Sequence, residues 1–369
     1  MTEMTAFETL ASFENLLRAY RSAARGKRGR PDVAAFDYHL EGQLLHLRDE
    51  LAAGSYRPGA YRRFTIADPK PRIISAAPFR DRVVHHALCN VIEPPFERRF
   101  IGDSYASRQG KGIHQALDRA TAFARRYPYV LRGDIVEFFP SVDLAILRRA
   151  LGRVIHDARV LALCDQILAG GAGELIDQYS PVCYPGDEPE LAALRPRGLP
   201  IGNQTSQFWA NCYLNPLDHF VKEQLRCRAY LRYVDVFLLF APDKPTLHHW
   251  RAEIIAFLAS HLRLVLHERE SDVAPVTAGS PFLGFRIYPT HRRLRRRNGV
   301  AFARRLRAMA GQYQTGTLAA AEITPRVRGW VAHVAHGDTW GLRRSLLGSV
   351  AFRAPEEPHE RVAGLRQDV

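Results

Sequence analysis

The stretch that most limits how this chain can fold is Arg232-Tyr233-Val234-Asp235-Val236-Phe237-Leu238-Leu239-Phe240, a strand-forming run with one carboxylate in its middle. Upstream, Arg132-Gly133-Asp134-Ile135-Val136-Glu137-Phe138-Phe139-Pro140-Ser141-Val142-Asp143 places another aspartate, Asp134, in the same kind of run. A carboxylate inside an apolar strand is costly unless it pairs or coordinates a cation. Two such strands, side by side, would let Asp134 and Asp235 share divalent metal ions and run phosphoryl transfer. The hairpin holds a single carboxylate, because Val236 follows Asp235 directly.

Charge agrees with an anionic partner. Fifty-two Lys+Arg against 38 Asp+Glu give a formal net charge of +14, which favours nucleic acid or an anionic surface. Arginine dominates, and its planar fork suits phosphate. At 369 residues the chain can hold two or three domains. It has no apolar run of about eighteen residues, so a spanning helix is not expected. The start Met1-Thr2-Glu3-Met4 carries an acid and no basic n-region, so a secretory leader is not expected either. Both point to a cytoplasmic protein without membrane contact. Cys89, Cys164, Cys183, Cys212 and Cys227 are dispersed, which suits reduced thiols better than disulfides or zinc. His333 and His336 have ligand-like spacing, but without nearby Cys or carboxylate partners they read as packed or surface groups.

Periodicity predicts helices over 7–24 and 33–53, then strands over 61–66 and 72–74 around the turn Asp68-Pro69-Lys70-Pro71. A helix over 80–92 follows, then a β-type run over 129–139 and a helix over 143–151. Proline-rich residues 179–200 read as a long loop. Beyond them a helix over 203–226, the hairpin over 230–240, a helix over 246–260 and a strand over 282–287 are expected. The segment 291–307 holds Arg292, Arg293, Arg295, Arg296, Arg297, Arg304, Arg305 and Arg307, and leads into helices to about 352. The fold class is α+β with a helical C-terminal domain.

Five strings in order, followed by the hairpin, resemble bacterial reverse transcriptases over residues 28–349. They are Ile66-Ala67-Asp68-Pro69-Lys70-Pro71-Arg72-Ile73-Ile74, Phe79-Arg80-Asp81-Arg82-Val83-Val84-His85-His86-Ala87-Leu88, Asp103-Ser104-Tyr105-Ala106-Ser107-Arg108-Gln109-Gly110-Lys111-Gly112, the Asp134 string, and Gly198-Leu199-Pro200-Ile201-Gly202-Asn203-Gln204-Thr205-Ser206-Gln207. The aliphatic Ile201 before Gly202, and Ser206-Gln207 at the end, resemble the diversity-generating retroelement class. The resemblance implies a right-hand polymerase. Its N-terminal region and fingers would span 1–125, and its palm 126–290 with an inserted segment at about 152–200. A helical basic thumb would cover 291–352 and a mobile tail 353–369.

By the same resemblance, the activity is that of an RNA-directed DNA polymerase using Mg²⁺, or Mn²⁺. It would extend a DNA or RNA primer on an RNA template with deoxynucleoside triphosphates, at low fidelity, beside a small basic accessory protein. Asp134 and Asp235 would be catalytic, and with the Ile135 carbonyl they would hold metal. Lys70 and Arg72 would grip the triphosphate, and Phe139 would exclude a 2′-hydroxyl. Ile201 and Gly202 would meet the nascent base pair, glycine permitting close approach. Template and primer would fall to Asn203, Gln204, Tyr233, Arg292, Arg293, Arg295, Arg296 and Arg297.

The resemblance implies two adjacent aspartates after Tyr233-Val234, yet the second is Val236, and valine cannot bind a hard cation. Glu137 is the nearest other acid, yet three residues beyond Asp134 on a continuing strand it is expected to face away. Three readings stand: a slow enzyme, a binding protein that has lost catalysis, or a sequence altered at this residue. A defence-associated reverse transcriptase and a nucleic-acid-binding scaffold remain the alternative functions.

Overall fold

The computed structural model describes residues 4–66 and 72–353. Lys70 and the expected tail beyond 353 lie outside them. The first predicted helix is two, Ala6–Ala11 and Phe13–Ala24, because Ser12 turns extended between them and its hydroxyl accepts the Asn15 N–H at 3.2 Å. The second is likewise divided, into Pro31–Tyr38 and Leu40–Ala53. Next comes the fingers hairpin, β1 (Arg62–Ile66) antiparallel to β2 (Arg72–Ala76).

The palm is a four-stranded antiparallel sheet: β3 (Tyr129–Asp134), β4 (Tyr230–Tyr233), β5 (Val236–Ala241) and β6 (Val273–Pro275), in the order β4-β5-β3-β6. Both of its faces are covered, so β5 is apolar throughout rather than alternating. Phe237, Leu239 and Ala241 join the main core with the helix Gln204–His219, while Leu238 and Phe240 join a second core with the helix Ile113–Arg126. Gly133 pairs with Phe237, and a Cβ at 133 would lie 2.1 Å from the phenyl ring. Only a residue without a side chain lets that ring lie against the neighbouring strand.

The β-type run predicted to 139 stops at Asp134. Glu137 takes a left-handed conformation (φ 42°, ψ 46°), and the chain enters the short helix Phe138–Ser141. Two successive phenylalanines mimic a strand in sequence, but here Phe138 is buried and Phe139 half-buried on one helical turn.

Residues 179–200 are pinned by ions. The Asp143 carboxylate meets Arg263 at 2.9 Å and Arg195 at 3.4 Å, and Asp187 meets the same two arginines at 3.1 and 2.6 Å. Further on, β7 (Ser280–Phe282), β8 (Phe285–Ile287) and β9 (Arg292–Leu294) form a three-stranded sheet, so the arginine run begins as a strand and turns helical only at Arg296–Gln314. With Ala320–Val334 and Trp340–Gly348 that helix makes the thumb, whose small core stacks Phe302 on Trp330 at 3.7 Å. The architecture is α+β, with antiparallel sheets and a helical C-terminal end.

The thumb meets the helix Ile113–Arg126 through polar groups. His114 stacks on His336 at 3.5 Å, and His333 lies against Phe285 at 5.3 Å. His333 is half-buried and His336 exposed at this contact, and among the described residues no group of three or more His, Cys, Asp or Glu could hold a metal.

Candidate active site

Asp134 closes β3 opposite Val236, and Asp235 occupies the turn just before β5. Two backbone bonds fix them: Ile135 N–H donates to the Asp235 carbonyl at 3.3 Å, and His267 N–H to the Asp134 carbonyl at 2.7 Å. The Ile135 carbonyl accepts no hydrogen bond among the described residues. Burial pushes the Asp235 carboxyl up to about 6, helped by the charge of Asp134 and opposed by Arg72 and Arg132. Two carboxylates and an open carbonyl are oxygen donors suited to a hard divalent ion, with water or phosphate completing its shell.

These groups line a cleft of about 620 Å³ together with Arg72, Arg132, Glu137, His267, Glu270, Leu283, Arg295 and Arg297. Glu137 therefore does not face away. Strand parity ends at Asp134, and the left-handed turn swings residue 137 back to the cleft. Val236 half-buries with Tyr233, Leu283 and Leu294 against the second core while lining the same cleft.

Arg132 and Glu270 were not singled out in the sequence. Arg132 binds the Asp134 carboxylate through Nη2, while its Nη1 donates to Glu270 Oε2 at 3.2 Å and to the Glu270 carbonyl at 3.1 Å. Strand parity could have found Arg132, two residues before Asp134 and so on its face. No local signal marks Glu270 or His267.

The other expected residues divide. Arg72 is exposed at the cleft, and Lys70 lies outside the described residues. Phe139 sits edge-on to Phe138 at 5.3 Å and is not among the residues lining the cleft. The Ile201 carbonyl accepts from Ser75 N–H at 3.0 Å, which joins β2 to the palm. Gly202 is exposed at φ 117°, and a Cβ there would meet Ile74 at 2.7 Å. Asn203 points inward: its amide donates to the Ser75 and Pro200 carbonyls at 2.9 and 3.1 Å and accepts from Ala77 N–H at 3.1 Å. It ties β2 to the segment before the helix Gln204–His219, and only 2% of it is exposed. Gln204 donates to Glu93 at 3.3 Å, and Tyr233 is half-buried.

Of the thumb arginines, Arg295 and Arg297 reach the cleft, while Arg293 and Arg296 are exposed. Arg292 is engaged internally instead. It donates to Thr121 and Asp118, both at 2.6 Å, and to the His336 carbonyl at 3.3 Å.

No protein-family model matches the chain. It is 27% identical to protein YkfC of Escherichia coli (strain K12), over 67% of this chain and 72% of that one. A quarter of it (24%) is 33% identical to nuclear intron maturase 1, mitochondrial, of Arabidopsis thaliana, covering 13% of that protein. Over 57% of its length it is 25% identical to the group II intron-encoded protein LtrA of Lactococcus lactis subsp. cremoris, covering 33% of LtrA. The chain thus spans a third or less of these two intron-associated relatives. No helix among the described residues is long and apolar enough to cross a membrane.

Proposed function

We propose that this reverse-transcriptase-like chain is an RNA-directed DNA polymerase that extends a DNA or RNA primer on an RNA template. One observation carries the reading: Asp134, at the end of β3, and Asp235, in the turn before the neighbouring β5, line one cleft that also presents Arg72, Arg295 and Arg297. Carboxylates and guanidinium forks lining one cleft suit the metal and the phosphates of a metal-bound triphosphate. Asp134, Asp235 and the Ile135 carbonyl would hold Mg²⁺, or Mn²⁺. The ion would lower the cost of deprotonating the primer hydroxyl and offset charge on the phosphates. Arg72, with Lys70 beside it in the chain, would draw the triphosphate of a deoxynucleotide into the cleft. Arg293, Arg296 and Arg297 would follow the backbone of the template–primer duplex.

Ile201 offers an aliphatic side chain, with no amide to check base-pair geometry, which supports low-fidelity copying of the diversity-generating kind. A small basic accessory protein and a cytoplasmic setting belong to the same proposal. A second reading, a nucleic-acid-binding scaffold, is favoured by Val236 and by the Arg132 pair that already occupies Asp134.

Primer extension on an RNA template, with product sequencing, separates the two. Slow extension with Mg²⁺ or Mn²⁺, errors concentrated at template adenines and loss of product in Asp134→Asn are expected. RNA binding without extension, in both the natural chain and Val236→Asp, would establish the scaffold. Accurate copying of adenines would remove the low-fidelity assignment.

A further inference from the structure

We infer that Arg232 is a positioning residue that holds the Asp235 turn in its working shape. Its guanidinium and the Asp218 carboxylate are both 0% exposed and paired at 2.6 Å. All three nitrogens of the fork are used. Nε and Nη2 donate to the two Asp218 oxygens at 2.7 and 2.6 Å, and Nη2 also to Ser104 Oγ at 3.2 Å. Nη1 donates to Asn211 Oδ1 at 3.1 Å and to the Val234 carbonyl at 3.0 Å. Tyr230 adds its hydroxyl to Asp218 at 2.7 Å.

The bond to Val234 gives the network its meaning. Val234 sits at φ 55°, a left-handed conformation that β-branched residues rarely adopt. Such backbone persists only where the surroundings over-determine it. The next residue is Asp235, whose carbonyl accepts from Ile135 N–H and so ties the turn to the end of β3. A continuous line therefore runs from Asp218, on the helix Gln204–His219, through Arg232 and Val234 to the two candidate metal-binding carboxylates.

Simple filling of space does not account for an arginine there. A buried ion pair is a poor source of stability compared with apolar side chains of the same volume, and Phe237, its partner across the sheet, shows that this face of the sheet accepts such side chains. What the guanidinium adds is a rigid planar set of donors that can bind a carboxylate and aim at a turn carbonyl at once. Arg232 does not line the cleft, so it acts through Asp235.

The purpose of the turn rests on the polymerase reading above; the grip itself does not. Two measurements on the full-length protein keep them apart: amide exchange over residues 233–236 and at Ile135, and Mn²⁺ affinity by calorimetry. Arg232→Lys keeps the charge opposite Asp218 but loses the fork. Faster exchange at the turn is expected, with Mn²⁺ binding weaker by about tenfold or more. Asn211→Ala leaves the Asp218 pair in place and should move both readouts in the same direction. It decides the matter if Arg232→Lys fails to fold. Folded variants that lose melting temperature but keep wild-type turn exchange and Mn²⁺ affinity would show Arg232 to be merely structural. If the natural chain binds no Mn²⁺, the polymerase reading fails, and turn exchange alone decides Arg232.

Discussion

At residue 236 the cleft floor is built for an apolar side chain. Val236, like Tyr233, Leu283 and Leu294, packs against the second core, and burial and Asp134 raise the carboxyl of its neighbour Asp235 to about 6. A second carboxylate would enter that half-buried setting beside two like charges, Asp134 and Asp235. Val236→Asp is expected to lose on the order of 1–3 kcal/mol of stability in chelator. Mn²⁺ should restore it, since an ion at a hundred times its Kd stabilises by about 2.7 kcal/mol. Differential scanning calorimetry with and without metal checks this, and an unchanged melting temperature in chelator would refute the packing account. Asp134 and Asp235 were legible in the sequence because a carboxylate within an apolar strand demands an explanation. The contact of Glu270 with Arg132 was not, because it joins residues brought together only by the folded palm.

Among the elements, the helix Phe79–Glu97 carries the clearest pH dependence. Burial lowers His85 to about 3, with His86 and Arg82 adding to the effect, and burial lowers His86 to about 4, with Lys27 and Arg82 adding. Both are held neutral in the fold but protonate near 6.5 when unfolded, so the unfolded chain binds more protons below that pH. Their contribution is complete above about pH 6.5 and is lost as pH falls toward 4 and then 3. For His85 the loss approaches about 1.4 kcal/mol per pH unit across that window. Urea midpoints between about pH 7.5 and 4.5 should fall accordingly, and His85→Gln should flatten the dependence; a parallel fall in the variant would assign it elsewhere. Periodicity located this helix, but not its extension to Glu97 through Pro94 and Pro95. It also missed the break at Ser12 and the end of β3 at Asp134. Each of these depends on one residue's backbone conformation, which hydrophobic spacing does not record.

Across the whole molecule, the net charge of +14 is unevenly committed. Arg292 is tied to Thr121, Asp118 and the His336 carbonyl, whereas Arg296 is exposed and Arg297 opens on the cleft. Arg296→Ala and Arg297→Ala should each lower the slope of log affinity for a template–primer duplex against log salt by about one. Arg292→Ala should leave the slope unchanged and loosen the thumb, read as a lower melting temperature. Anisotropy titrations from about 50 to 200 mM salt distinguish them; equal slopes for all three variants would refute the division. The contact between Gly133 and Phe237 reaches beyond any one molecule's stability, to the order in which a lineage can change. A side chain at 133 is blocked while the ring is present, and a smaller residue at 237 first opens a void in the main core. Descendants can cross that gap only through a weakened intermediate, so the two positions are expected to be inherited as a pair.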